Sequence, residues 1–148
     1  MPSNCEGIGK VSTCRVNHAV SKVKELIARN FGFISPEVQE KIGKAKILFV
    51  GCGLGSQIAV LAARTGFSHF QLWDGDRIEL SNLNRQAFSM ADVGLNKAEV
   101  TARLLKTINS GMEVEFRPEF LRKPSDIREA ITKADLVINT ADPDEVVY

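Results

Sequence analysis

The chain has 148 residues, 44% of them apolar and 25% charged, which suits one globular core of ordinary size and excludes a disordered or low-complexity chain. Nineteen basic against eighteen acidic residues leave a formal charge of +1, so there is no electrostatic case for a nucleic acid or a membrane surface as partner. No apolar run approaches the roughly eighteen residues of a bilayer-spanning helix.

The N-terminal stretch MPSNCEGIGKVSTCRVNHAV lacks the continuous apolar core of a signal peptide, and poor order is expected up to about Asn17. Cys5, Cys14 and Cys52 are an odd set with no C-x-x-C pair, so neither a disulfide framework nor a complete zinc site is expected. A reducing, cytoplasmic setting fits that usage. From His18 to about Asn30, apolar Val20, Val23, Leu26 and Ile27 form a helical stripe. Ser35-Pro36-Glu37 reads as an N-cap, a first-turn proline and a dipole-favoured acid, opening a short helix through Gln39 and Ile42 that Gly43 ends. Residues 1–43 thus form an N-terminal arm with helices, and residues 44–148 a sheet domain.

Ile47-Leu48-Phe49-Val50 is a run of the kind buried on both faces of a sheet. Gly51, Gly53 and Gly55 follow, then Ser56 and a small apolar helix from Ile58 to Ala63, closed by Thr65-Gly66. A second strand, Phe70 to Trp73, ends on Asp74 and Asp76. Beyond it RIELSNLNRQAFSMADVGLN shows no periodicity. A helix is predicted from about Asn96, with Val100, Leu104 and Ile108 on one face, then a strand from Met112 to Phe116. Ser125 is expected to cap a helix through Ile127 and Ile131, and Ala134 to Asn139 reads as another buried strand. This order predicts an α/β domain, a Rossmann-like parallel sheet flanked by helices with right-handed crossovers. Ending soon after Asp142, in a loop, the sequence reads as the first half of a longer, nucleotide-binding domain.

Strand, glycine turn, helix, strand and carboxylate make the first half of a nucleotide-binding βαβ unit. Glycines allow close approach of the backbone to a phosphate or ribose, the helix N-terminus offers unpaired N–H donors, and an acid roughly twenty residues on accepts from ribose hydroxyls. Ser56 stands where a third dinucleotide-type glycine would be. S-adenosylmethionine sites use the same glycine pattern, and the glycines also suit a tight turn with no ligand.

The segment after the paired aspartates separates these readings. DGDRIELSNLNRQ followed by DVGLNKA resembles the signature of the ThiF/MoeB family, which includes the ubiquitin-activating enzymes. That family reads approximately D-x-D-x-V-x-x-S-N-L-x-R-Q and then G-x-x-K-A. Asp74, Asp76, Ser81, Asn82, Leu83, Arg85, Gln86, Gly94, Lys97 and Ala98 all match. The likeness reaches RNFGFISPEVQEKIGKAKILFVG upstream and ADLVINTADP downstream, about the first half of a typical member.

The resemblance implies ATP-dependent adenylation of the C-terminal carboxylate of a ubiquitin-like or sulfur-carrier protein by a homodimer. Gly51, Gly53 and Gly55 would form the turn against the nucleotide, and Asp74 would accept from the ribose. Asn82, Arg85 and Lys97 would contact the ATP phosphates, Gln86 would belong to the same binding segment, and Asp142 would hold Mg²⁺. Arg29 would reach the phosphates of the other subunit's site. The chemistry agrees: attack of a carboxylate on the α-phosphate gathers negative charge on phosphoryl oxygens, so cations and a metal are what such a site needs. Two departures stand out. GCGLGS is one residue shorter than the family's usual G-x-G-G-x-G-S, and Phe33 lies where a second lead-in arginine is usual. The half that in relatives carries a catalytic cysteine and zinc-binding pairs is absent, so thioester transfer is not assigned.

Plainer readings stand beside these. Arg85 and Lys97 could be solvated surface charges, Asp142 beside Pro143 a turn residue, Arg29 a helix C-terminal cation, and Asp76 a turn cap. Cys52, His18, His69 and Trp73 read as structural. The competing functions are an S-adenosylmethionine-dependent methyltransferase, which leaves Arg85 and Lys97 without a use, and a non-catalytic domain retaining the fold for dimerisation or binding.

Overall fold

A computed structural model of the protein describes residues 24–142. Cys5, Cys14, His18 and the start of the predicted first helix lie outside the described residues. Of that helix residues 24–26 are helical, and a 3-10 helix, Ala28–Gly32, then carries the chain towards Ser35.

Ser35 caps α1 (Pro36–Lys44) as expected, its side chain accepting from the Val38 N–H. The helix runs one residue past Gly43, to Lys44, with Ala45 as its C-cap. β1 (Lys46–Val50) then enters the centre of a sheet of four parallel strands in the order β3-β2-β1-β4, with β2 His69–Trp73, β3 Glu113–Arg117 and β4 Leu136–Asn139. Ile47 pairs with Phe70 on one side and with Leu136 on the other.

The central position explains why the β1 run shows no alternation. Ile47 and Phe49 face α2 (Leu54–Thr65) and α3 (Lys97–Ile108), packing with Ala59, Ala63, Ala98, Ala102 and Leu105. Leu48 faces the other way, against Leu121 and Ala130, where α4 (Pro124–Thr132) crosses back over the sheet. Small residues on α2 and α3 let both helices approach the sheet closely. Burying three such side chains is worth very roughly 2 kcal/mol each, which makes β1 the spine of the core. Trp73 is half-buried and joins the Leu48 side. His69 hydrogen-bonds the Gly43 carbonyl at 3.1 Å, a structural role as expected.

Several boundaries differ from the sequence reading, each for a local reason. α2 starts at Leu54, not Ile58, because Gly55 and Ser56 already lie in its first turn. Ser125 does not cap α4: the N-cap is Lys123, Pro124 takes the first helical position, and the Ser125 hydroxyl bonds Asp126. β4 is not a buried strand among the described residues; it pairs only with β1, leaving Leu136 and Val137 46% and 43% exposed. The segment after Asp76 is ordered by hydrogen bonds, not periodicity. It forms 3-10 turns at Leu80–Asn82 and Met90–Asp92, where Asn82 and Asp92 accept from the N–H groups of Glu79 and Ser89, and Ile78 and Phe88 anchor it in a small core with Val100.

Gly66 ends α2 in the left-handed conformation, φ 116°, and a Cβ there would lie 2.4 Å from Gln39 Nε2. Gln39 and Asn30 both donate to the Thr65 carbonyl at this point, tying the arm to the helix end. Gly66→Ala is expected to lower stability by about 1–2 kcal/mol. Gly32→Ala, whose Cβ would meet nothing within 4 Å, should change little in the same urea titration.

Candidate nucleotide site

The strand order reverses direction between β1 and β4, and in open parallel sheets such a switch point opens a crevice at the carboxyl ends of the strands. A cavity of about 440 Å³ lies there. Two smaller hollows, of about 160 and 320 Å³, lie on the sheet face beside β3 and α4, away from the glycine loop.

The loop after β1 forms one wall. Gly51 has φ 90°, and a Cβ on it would fall 2.7 Å from the Ala141 nitrogen, so the ends of β1 and β4 meet only because it is glycine. Gly53 packs against the Gln86 side chain, where a Cβ would lie 3.1 Å from Nε2, and both line the cavity. Gly55 sits deeper: its missing Cβ leaves room for Thr140 Oγ1, which donates to the Gly51 carbonyl at 2.8 Å. Its observed contact is thus helix-to-strand packing.

Asp74, at the end of β2, is buried and holds that loop. Its Oδ2 accepts from the Cys52 N–H at 2.6 Å and its Oδ1 from the Asp76 N–H at 2.8 Å. Burial pushes the Asp74 carboxyl above the usual carboxylate range, while the two N–H donors and Lys97 pull against that rise. Cys52 is fully buried, and burial with the nearby Asp74 charge pushes its thiol up, so it is no nucleophile.

The far wall is the segment after Asp76. Asn82 and Gln86 are nearly buried, and Gln86 Oε1 has no hydrogen-bond partner among the described residues although it lines the cavity. Arg85 is exposed at the mouth, its guanidinium resting on the Ser81 carbonyl and Asn84 Oδ1 at 3.2 and 3.0 Å. Lys97 opens α3 and reaches Asp76 Oδ2 at 2.8 Å. Asp142 closes the cavity beyond β4. Gly51, Gly53, Asp74, Asn82, Arg85, Gln86, Lys97 and Asp142, scattered over ninety-odd positions of sequence, therefore share one cleft.

Arg29 is not among them. Its neighbour Asn30 donates to the Thr65 carbonyl, at the opposite end of α2 from the glycine loop, and a twelve-residue helix spans about 18 Å.

Ser56, Asn96 and Asp76 build the cleft through contacts that a local reading of the sequence does not give. Ser56 accepts from the Ala87 N–H and donates to the Gly53 carbonyl, clipping the far wall to the loop. Asn96 caps α3 and spans the carbonyls of Asp74 and Asp76 with its amide. Asp76 does more than cap a turn, since it pairs with Lys97. The N-cap signal at Asn96 was visible in the sequence; the other two depend on contacts between distant elements.

The family model of the ThiF family matches residues 27–146. The chain belongs to the ThiF family. Among curated ThiF relatives, the "Adenylyltransferase and sulfurtransferase MOCS3-1" of Zea mays is 36% identical over 121 residues, 80% of this chain and 25% of the relative. The "Sulfur carrier protein adenylyltransferase" of Thermus thermophilus is 32% identical over 111 residues, 74% of this chain and 41% of the relative. Of solved structures, the E. coli tRNA N6-threonylcarbamoyladenosine dehydratase TcdA superposes with a TM-score of 0.75 at 29% identity, over 80% of this chain and 51% of that one. E. coli MccB solved with ATP gives 0.65 at 36% identity, over 71% and 31%. The chain spans about a quarter of the length of the maize relative.

Asp74→Asn keeps the shape of the clamp but supplies one acceptor oxygen where two are used. One loop N–H is left buried without a partner, and a loss of about 1–3 kcal/mol is expected in urea unfolding. Amide hydrogen exchange should quicken at Cys52 or Asp76 before it does in β1.

Proposed function

We propose that this ThiF-family chain carries the ATP site of an adenylyltransferase that activates the C-terminal carboxylate of a ubiquitin-like or sulfur-carrier protein. The observation that carries the reading is the convergence of a glycine loop, the cations Arg77, Arg85 and Lys97, and the Asp142 carboxylate in one cleft. A triphosphate accounts for Arg85 and Lys97 together; a methyl donor without phosphate uses neither.

The chain's residues divide the work by chemistry. The glycine loop and the N-terminus of α2 present backbone to the nucleotide without side-chain obstruction. Asp74, already holding the loop, has lone pairs left to accept from ribose hydroxyls. Gln86, nearly buried, lines the cavity, and Asn82 stands beside it. Arg85 and Lys97 offset the charge that grows on phosphoryl oxygens as the carboxylate attacks and pyrophosphate departs. No general base is needed, because the attacking carboxylate is already ionised.

Among the described residues no cluster of three or more histidine, cysteine or carboxylate ligands is present. The Asp142 carboxylate at the cavity edge fits Mg²⁺, which takes one or two carboxylates and completes its shell with phosphate oxygen and water. Asp142 would hold it, and bound Mg²⁺ would neutralise phosphate charge.

A homodimer in which Arg29 serves the partner's site, and a cytoplasmic location, belong to the same reading. No described helix is long and apolar enough to cross a membrane.

The test is ATP–pyrophosphate exchange in the intact protein with its carrier. Lys97→Ala and Arg85→Ala are each expected to slow exchange by roughly a hundredfold or more. Unchanged exchange in both variants would overturn the assignment.

A further inference from the structure

We propose that Asp76 is a positioning residue: its carboxylate fixes where the Lys97 ammonium stands in the cleft. The ligand that Lys97 meets there is the triphosphate of the adenylation reading, and to that extent the inference rests on it.

Lys97 occupies an unfavourable place for a cation. It is the first residue of α3, where the helix dipole and unpaired N–H groups favour negative charge. Its side chain is only 11% exposed, so the ammonium has little water to solvate it. Asp76 Oδ2, 2.8 Å away, offsets both costs.

Asp76 is itself anchored from three directions. Its N–H donates to Asp74 Oδ1 at 2.8 Å, and its carbonyl accepts from the Lys97 N–H and from Asn96 Nδ2, both at 3.0 Å. The backbone that carries the carboxylate is therefore joined to the same residue whose ammonium it holds. A lysine stem has four rotatable bonds and normally wanders; here both ends are fixed.

An ammonium has three donors. One goes to Asp76, and two remain for acceptors in the cavity that both residues line. Lys97 can thus keep Asp76 and still bind phosphate oxygens, arriving oriented instead of ordering itself at each turnover. The Asp76 charge carries a cost as well, since it faces the same incoming polyanion.

These two effects separate in a variant. Asp76→Asn removes a negative charge from the cleft and loosens the ammonium. Binding of Mg²⁺-ATP should hold or tighten, while the exchange rate constant falls by about a hundredfold. A merely structural lesion would weaken both. Asp76→Glu, which keeps an acceptor, should recover part of the rate.

The experiment has a ligand-free arm and a nucleotide arm, both on the full chain. Trace acetylation with acetic anhydride, read by mass spectrometry, measures how accessible Lys97 is relative to the other lysines. Asp76→Asn is expected to raise Lys97 labelling several-fold and Asp76→Glu to raise it less. Exchange rate constants of wild type, Asp76→Asn, Lys97→Met and the double variant then form a cycle, with calorimetric Mg²⁺-ATP titrations of the same four chains beside it. The Asp76→Asn loss of rate should vanish once Lys97 is gone, whereas any gain in affinity, a charge effect, should persist. Labelling that ignores Asp76, or a rate loss of equal size in the Lys97→Met background, overturns the proposal. Asp76-dependent labelling in a chain that binds no ATP upholds the anchor and removes the adenylation reading. ATP binding without that dependence does the reverse.

Discussion

Asp74 is a buried carboxylate whose two oxygens are taken up by backbone N–H groups, one from the glycine loop after β1 and one from its own turn after β2. Burying an acid is costly, and the cost is met locally because two unpaired loop donors need an acceptor at that spot. The arrangement couples two strand ends that differ by 22 positions in sequence. From it follow the shape of the loop, the course of the chain into Asp76, and through Asn96 the point at which α3 begins. The cleft is therefore a by-product of satisfying backbone polarity at the top of a sheet, with charged side chains added to its rim.

A second constraint acts on the opposite side of β1. The ends of β1 and β4 are in contact closer than any Cβ would allow at Gly51, and Thr140 fills the space that Gly55 leaves. Glycines here serve packing of the protein against itself as well as access for a ligand. The two uses overlap along the loop: Gly55 is committed to β4, Gly53 borders the cavity, and Gly51 does both.

What could be read from the sequence was whatever is encoded locally. Ile47 to Val50 announce a central strand because burial on both faces removes alternation. Ser35-Pro36-Glu37 and Thr65-Gly66 announce helix ends because capping needs few neighbours. Asn82, Arg85, Gln86 and Lys97 stand out through the resemblance of the SNLNRQ and GLNKA blocks to the family signature, and the fold brings them to one cleft. The Asp76–Lys97 pair is not legible in the sequence, since it joins the end of β2 to the start of α3 across an irregular loop. Ser125 misled because a serine near a helix start competes with a neighbouring proline, and Pro124 took the first position. β4 reads as a buried strand from its apolar side chains, and only its packing and pairing partners decide how far it is covered: among the described residues it pairs with β1 alone.

Lys46 and Asp135 are joined across 89 positions, and the β1–β4 pairing they flank is the longest-range connection in the sheet. Loop-closure entropy grows with the length enclosed, so the β1–β2 pairing has the easier closure and the β4 side comes late. During synthesis from the N-terminus, β1 can complete only one of its edges until residues beyond 130 have left the ribosome. For that interval the most apolar strand of the sheet carries a row of unpaired N–H and C=O groups, open to pairing with any neighbouring nascent chain. The order in which the strands are laid down, with the spine first and its second neighbour last, makes the timing of translation a determinant of how cleanly this domain assembles.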